Sequence, residues 1–330
     1  MGWWQVNADT LARVRFVVSP LAEVIAVLKT LERATAAHPG ERAWLDAHLP
    51  AYGARIAGDP VTGLLIRAAL GSTWNATFLT PTPTGEDEPD FARELSRIRR
   101  TPSDTARADL TVSLGVPLPA ALHRDDLADR TADLLQWIWD TAVAADWPRR
   151  REIIKADIVA RTARLSEGGW AAALDGMRPG MRWLGDGRLQ ITAHDHPPRE
   201  LSAAQLMFVP VTLCQSWLCW DSTDRNAVVY PCSGTLAGVG RAPLPDGLGR
   251  LLGSARAGVL VLLGSPMTTT ELVAVTGQGL GSVGRHLRVL FDAGLVHRRR
   301  TGRSVLYYRT EAGDVLVAAR RGGGGLSAGA

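Results

Sequence analysis

A mainly α protein with small β-structure is expected from three features of the 330-residue chain. Apolar residues recur at helical spacing over most of residues 1–178. Strand signals bounded by turns are concentrated between 179 and 242. A basic segment at 249–321 reads as short amphipathic helices followed by a hairpin. The expectation is therefore a helical N-terminal body, completed by a small antiparallel sheet, with a compact C-terminal module.

Composition narrows the classes. The 46% apolar content supports buried cores. No apolar run approaches the roughly 20 residues that span a bilayer, and the first residues, MGWWQVNADTLARVR, lack the pattern of a secretory leader. Cys214, Cys219 and Cys232 are few and odd in number, which fits a reducing compartment. A cytoplasmic protein without membrane contact is expected. Charge is divided unevenly: eleven arginines face four acids from Gly249 to Arg321, a net +7, leaving −3 for Met1–Leu248. A basic module on a slightly acidic body is the layout of a nucleic-acid binder with a separate sensing or partner-binding part. All eleven tryptophans lie outside the basic module, between Trp3 and Trp220, and only Lys29 and Lys155 are lysines.

Along the chain, Arg13–Val18 reads as a strand. Ser19 then caps a helix with Pro20 in its first position. Leu127, Thr131, Leu134, Ile138 and Ala142 form one helical stripe, and Ile154, Ile158, Thr162 and Leu165 another. Thr80–Pro89 interrupts the helices as an exposed loop. Gly185-Asp186-Gly187 marks a hairpin between Met181–Leu184 and Arg188–Thr192. Leu206–Leu213 and Ala227–Tyr230 supply further strands. Residues 243–248 read as a linker and 322–330 as a disordered tail.

The segment GQGLGSVGRHLRVLFDAGLV, from Gly277 to Val296, admits two readings. Gly279, Gly281 and Gly284 spell the dinucleotide fingerprint G-x-G-x-x-G. That reading needs a preceding strand, yet Thr268 followed by Glu271 has the spacing of a helix capping box. It also needs an acid downstream for the ribose, where arginines stand, and more chain than remains after Arg300. The other reading accounts for more residues. Helices at 249–263, 267–277 and 280–293, the last closed by Gly294, precede a hairpin of 295–300 with 304–309, which together make a winged helix-turn-helix.

Gly281–Val296 and the following His297-Arg-Arg-Arg-Thr-Gly-Arg-Ser-Val-Leu-Tyr-Tyr308 resemble the third helix and wing of ArsR-type bacterial repressors, a likeness that covers Gly249 to about Arg320. The body, with Arg15-Phe-Val-Val-Ser-Pro-Leu-Ala-Glu23 and Asp90-Phe91, is similar to an uncharacterised domain joined to such modules in actinobacterial regulators. Metal-sensing relatives carry a Cys-x-Cys pair in the second helix. Here Glu271–Val275 has no thiol, so metal sensing is not carried over. Gly281 and Gly284 depart from the family's usual residues, each costing roughly 1 kcal/mol of helix stability relative to alanine.

The resemblance implies binding to double-stranded DNA as a homodimer reading two half-sites. Ser282, Val283, Arg285 and His286 are the expected base readers, with Arg285 suited to bidentate pairing with guanine. Thr268, Arg288, Arg298, Arg299, Arg300 and Arg303 are the expected phosphate contacts. Trp137, Trp170, Trp183 and Trp217 are core aromatics that also qualify as the lining of an effector pocket. His194-Asp195-His196 lacks a third ligand and reads as a turn. Cys214 and Cys219 read as buried apolar groups. No catalytic motif, metal site or cofactor site is recognised. A transcriptional regulator, in the sense of a repressor controlled by an effector or partner bound by the N-terminal body, is the function expected. An architectural or partner-binding DNA protein and an enzyme domain fused to a winged helix are the alternatives.

Overall fold

The computed structural model describes residues 2–37, 39–86, 90–192, 198–201, 204–220, 224–232, 246–263, 267–276, 278–301 and 304–318. Helices dominate, and the described strands form three small sheets. The body is organised around α2 (Pro20–Arg33), in which every residue from Pro20 to Leu31 is buried. Its start follows the expected chemistry: Ser19 is extended and its Oγ accepts the Ala22 N–H at 3.0 Å, with Pro20 in the first turn. Around it pack α3 (Pro39–Gly58), α4 (Pro60–Ala69), α5 (Phe91–Arg99), α6 (Ser103–Leu114) and α7 (Leu127–Ile138). The α7 stripe points inward at Leu127, Thr131, Leu134 and Ile138. The chain then widens into a π turn and tightens into a 3₁₀ turn before α8 (Trp147–Leu174).

Two expectations about this half change. The segment from Thr80 is not an exposed loop over its first residues: Thr80, Thr82 and Pro83 are buried, and Arg97 Nη1 donates to the Thr82 carbonyl at 2.7 Å. Of the stripe Ile154, Ile158, Thr162 and Leu165, only Ile154 is fully buried. The inward face of α8 carries Arg150, Ile153, Ile154, Ala156, Asp157 and Arg161 instead. A purely apolar reading misses a face whose charges are paired inside the protein.

The single antiparallel sheet is also corrected. One mixed sheet runs β3 (Arg182–Gly185), β4 (Arg188–Thr192), β1 (Gly2–Gln5) and β5 (Arg199–Glu200), with β1 antiparallel to β4 but parallel to β5. A second runs β2 (Arg15–Phe16), β6 (Gln205–Val211), β8 (Arg225–Pro231) and β7 (Trp217–Cys219). Its central strands are parallel, and only β7 runs against them. The expected strand at Arg13–Val18 shortens to Arg15–Phe16. The runs in β6 and β8 are apolar without alternation because both faces are covered. Met207, Val209, Ala227 and Val229 join the core around α2, whereas Leu206, Phe208, Val228 and Tyr230 join a core with Trp4, Leu174 and Met177. The hairpin at Asp186-Gly187 forms as expected, with φ of 50° and 70°. A Cβ on Gly187 would lie 2.4 Å from the Val6 carbonyl oxygen, so only glycine fits.

The C-terminal module comprises α9 (Asp246–Leu252), α10 (Ser254–Leu262), β9 (Met267–Thr268), α11 (Thr269–Thr276), α12 (Leu280–Asp292), β10 (Val296–Thr301), β11 (Ser304–Arg309) and α13 (Glu311–Ala318). The expected helix at 249–263 is two helices, broken at Gly253, whose φ is 79°. Of the expected linker, 246–248 begin α9 and 243–245 lie outside the described residues, as does the tail at 322–330. Leu260, Leu272, Val283, Leu287, Leu290 and Val296 form the module's core, which Ile153 and Ile154 of α8 and Cys232 after β8 also enter.

The buried polar groups yield two predictions. Arg150 Nη1 lies 2.5 Å from Glu23 Oε1 and 2.9 Å from Thr212 Oγ1, and the Thr212 N–H donates to Glu23 Oε2 at 2.8 Å. Arg150→Met would leave a buried carboxylate without its counter-ion. Urea unfolding should show a loss of about 3–5 kcal/mol, and a loss under about 1 kcal/mol would contradict this reading of the pair. Glu94 of α5 accepts from the Leu21 N–H at 2.9 Å and from Ser19 Oγ at 3.0 Å. Burial pushes its carboxyl up to about 7, opposed by those hydrogen bonds. Because the folded value lies above the unfolded one, the contribution is complete below about pH 4.5 and lost as pH rises through about 7. Glu94→Gln should match the parent's stability near pH 5 and exceed it by about 1–3 kcal/mol near pH 8. Parallel melting curves at the two pH values check the difference.

Candidate nucleic-acid interface

The module presents α12 on its surface because its apolar period is that of a helix with one side buried. Val283, Leu287 and Leu290 point into the core, while Gly281, Arg285, Arg288 and Val289 are exposed. The helix starts after Gly279 and stops at Gly294, whose φ of 70° admits the left-handed turn. α11 begins directly after Thr268, as the capping reading requires, although the side chain of Glu271 lies outside the described residues. No strand occupies 272–276, so the dinucleotide reading fails.

The expected base readers divide. Arg285 is exposed on α12. Ser282 and His286 are half-buried and engaged with one another: Ser282 Oγ donates to Gln278 Oε1 at 3.2 Å and lies 3.4 Å from His286 Nε2. Val283 is corrected: it is fully buried, so no edge of a base can reach it. Gln278, one turn before Ser282, was not singled out from the sequence, and its place in a polar string at spacing i, i+4, i+8 is the signal that identifies it. Burial, helped by Arg256 and Arg285, lowers His286 from the usual imidazole range. Gly284 stands in open space on the half-exposed side of α12, where a Cβ would meet nothing within 4 Å.

The hairpin carries the remaining charge. Arg298, Arg299 and Arg300 are exposed on β10, opposite Tyr307, Leu306 and Val305 of β11. The Arg298 guanidinium lies 4.5 Å from the centre of the Phe291 ring, which ties β10 to α12. Arg288 is exposed on α12. Thr268 is corrected as a phosphate contact: it sits in β9 opposite Leu306 and is buried. Arg303 lies outside the described residues. Arg285, Arg288 and the three β10 arginines are thus exposed on adjacent elements of one module.

The four tryptophans named from the sequence do not share a pocket. Trp137 packs against the helical core around α2, and Trp170 and Trp183 against the core containing Trp4. Trp217 is buried in β7 and lines a cavity of about 530 Å³ whose other aromatic residues are Trp74 and Trp220. Among the described residues no cluster of ligands suits a metal ion, and His194-Asp195-His196 lies outside them. Cys219 is buried as expected and Cys232 is buried too, but Cys214 is exposed, its backbone N–H donating to Glu41 at 3.1 Å. No described helix is long and apolar enough to cross a membrane.

Residues 259–298 match the family model described as bacterial regulatory protein, arsR family. The match runs from α10 through α12 into β10 and does not reach the body segments around Arg15–Glu23 and Asp90–Phe91. No curated protein and no solved structure matches the chain.

The inward and outward sorting of α12 is testable without DNA. Leu287→Ala should destabilise the module by about 2–5 kcal/mol, whereas Arg285→Ala should change stability by no more than about 0.5 kcal/mol. Thermal unfolding followed by circular dichroism measures both, and comparable losses would mean that α12 is rotated from the arrangement described.

Proposed function

We propose that the chain is a bacterial transcriptional regulator whose C-terminal winged helix-turn-helix binds operator DNA and whose body senses a small molecule. It acts as a repressor, through binding rather than catalysis. The observation that carries this reading is the exposed basic face of α12 and β10 within the segment matched to the arsR-family model. α12 enters the major groove, where Arg285 reads a guanine through paired hydrogen bonds. Gln278, Ser282 and His286 exchange bonds among themselves for bonds to base edges. Arg288, Arg298, Arg299 and Arg300 contact phosphates and set the register. A homodimer places two such helices on successive major grooves, so the operator is a pseudo-palindrome with half-sites one helical turn apart.

Genome-wide footprinting of the bound protein would supply the operator, and fluorescence anisotropy on that duplex the energetics. Arg285→Ala should cost about 1–3 kcal/mol and relax preference at one base pair. Arg299→Ala and Arg300→Ala should weaken binding to all sequences alike, each reducing the slope of log affinity against log salt by about 0.9. If the full chain binds no duplex even at low salt, the proposal is wrong.

A further inference from the structure

Lys29 is one of only two lysines in a chain that otherwise uses arginine, and it is buried near the C-terminal end of α2. A buried ammonium is costly unless something compensates it. Its Nζ donates to Asn75 Oδ1 at 3.1 Å and lies 5.5 Å from the centre of the Trp217 ring. Neither neighbour is an anion. The group lines the 530 Å³ cavity between α2, the turn following α4, β7 and the segment after α8, a size typical of sites for small ligands. Arg33 and Arg178 line the same cavity, and among the described residues no carboxylate does. Arg178 is largely buried, and its Nε and Nη1 have no hydrogen-bond partner among the described residues. Trp74 and Trp220 stand on the wall with ring centres 4.7 Å apart.

We propose that this cavity binds a small organic anion with a flat aromatic or similarly apolar body, its acid group held by Lys29 and Arg178 and its ring against Trp74, Trp217 and Trp220. Lys29 and Arg178 have no carboxylate beside them in the lining among the described residues, and charge-assisted hydrogen bonds to an anion are the strong kind. The tryptophans supply apolar area and exclude water from those bonds. Burial, with Arg33 and Arg178 lowering and Cys219 opposing, brings the Lys29 pKa down to about 7, so an anion beside it is accompanied by proton uptake. The site deepens the sensing role proposed above, on which its consequence for DNA rests; ligand binding itself does not depend on that role.

The test uses the full chain without DNA. Benzoate, 2-naphthoate and indole-3-acetate are each titrated beside their neutral amides and beside inorganic phosphate, by calorimetry and tryptophan fluorescence. At least one acid should bind about tenfold or more tighter than its amide and than phosphate. Its affinity should fall as pH rises above about 7. Lys29→Met removes a buried charge and keeps the stem, so the protein should stay folded while losing about tenfold or more in affinity for the acid; Arg178→Met should act in the same direction. Arg285→Ala should leave the titration unchanged. Acids and amides binding alike, no acid binding up to millimolar concentration, or affinity indifferent to both Met substitutions would each overturn the site. The operator titration is repeated with the bound acid present. An unchanged DNA affinity there counts against that acid as an effector and leaves the site intact.

Discussion

The burial of α8 between two apolar cores is the constraint on which the architecture depends. Its Arg150 closes on Glu23 of α2 and on Thr212 after β6, and Tyr230 of β8 donates to its Asp157 at 2.8 Å. Arg161 lies over the Tyr230 ring at 5.1 Å and donates to the Ala173 carbonyl at 2.9 Å, beyond the break in the helix at Gly169, whose φ is 66°. Ile153 and Ile154 of the same helix enter the core of the C-terminal module. Buried ion pairs add little net stability relative to apolar side chains, but a single partner left alone is expensive. A helix held this way has few alternative rotations, because each would strand a charge. The polar anchors thus position α8, and its isoleucines position the module.

That arrangement explains how two bodies of opposite charge share one chain. The module's exposed arginines repel one another and favour a polyanion, while several of the body's arginines are paired with acids, as Arg124 and Arg130 are with Asp126. Exposed pairs of that kind contribute little to stability. Their effect is to leave the helical body without a broad basic surface that would compete for the polyanion. Arg298 is intermediate: its stack on Phe291 orders β10 against α12 while its charge remains at the surface.

Legibility followed the periodicity of what is buried. The capping of α2 by Ser19, the α7 stripe, the Asp186-Gly187 hairpin and the extent of α12 up to Gly294 were readable, because each is set by local chemistry or by one apolar face. The parallel pairing of β6 with β8 was not, since strands covered on both faces lose the alternation that announces a sheet. Nor was the buried face of α8, where Arg150, Asp157 and Arg161 look like a solvated stripe until their partners from distant segments are known. Val283 failed as a base reader for a related reason: neighbours on a recognition helix alternate between groove and core within a single residue. The cavity was hidden because Lys29, Trp74, Arg178 and Trp220 come from four separated stretches. Lys29 alone carried a signal, as a cation within an apolar helical run.

The cavity shares a strand with the elements that anchor α8. Trp217 and Cys219 of β7 pair with Val229 and Ala227 of β8, whose Tyr230 holds Asp157 and whose end leads to Cys232 in the module's core. Contiguity alone does not make a switch; two packings of comparable energy are required, and a ligand must bind them differently. The π turn between α7 and α8 is the natural place to look for the second packing. There the helix is already out of its regular hydrogen-bonding pattern, with Trp139 stacked on Phe91 at 4.4 Å and Trp147 5.7 Å away. Moving that turn by one register would rotate Arg150 from Glu23, so the two states would differ in a buried ion pair rather than in a surface contact. An anion in the cavity can favour one state only through what it touches, namely α2, β7 and the segment after α8. All three border the elements that hold α8, so under the proposed function a rotation of that helix is the coordinate through which a bound acid would bear on a bound operator.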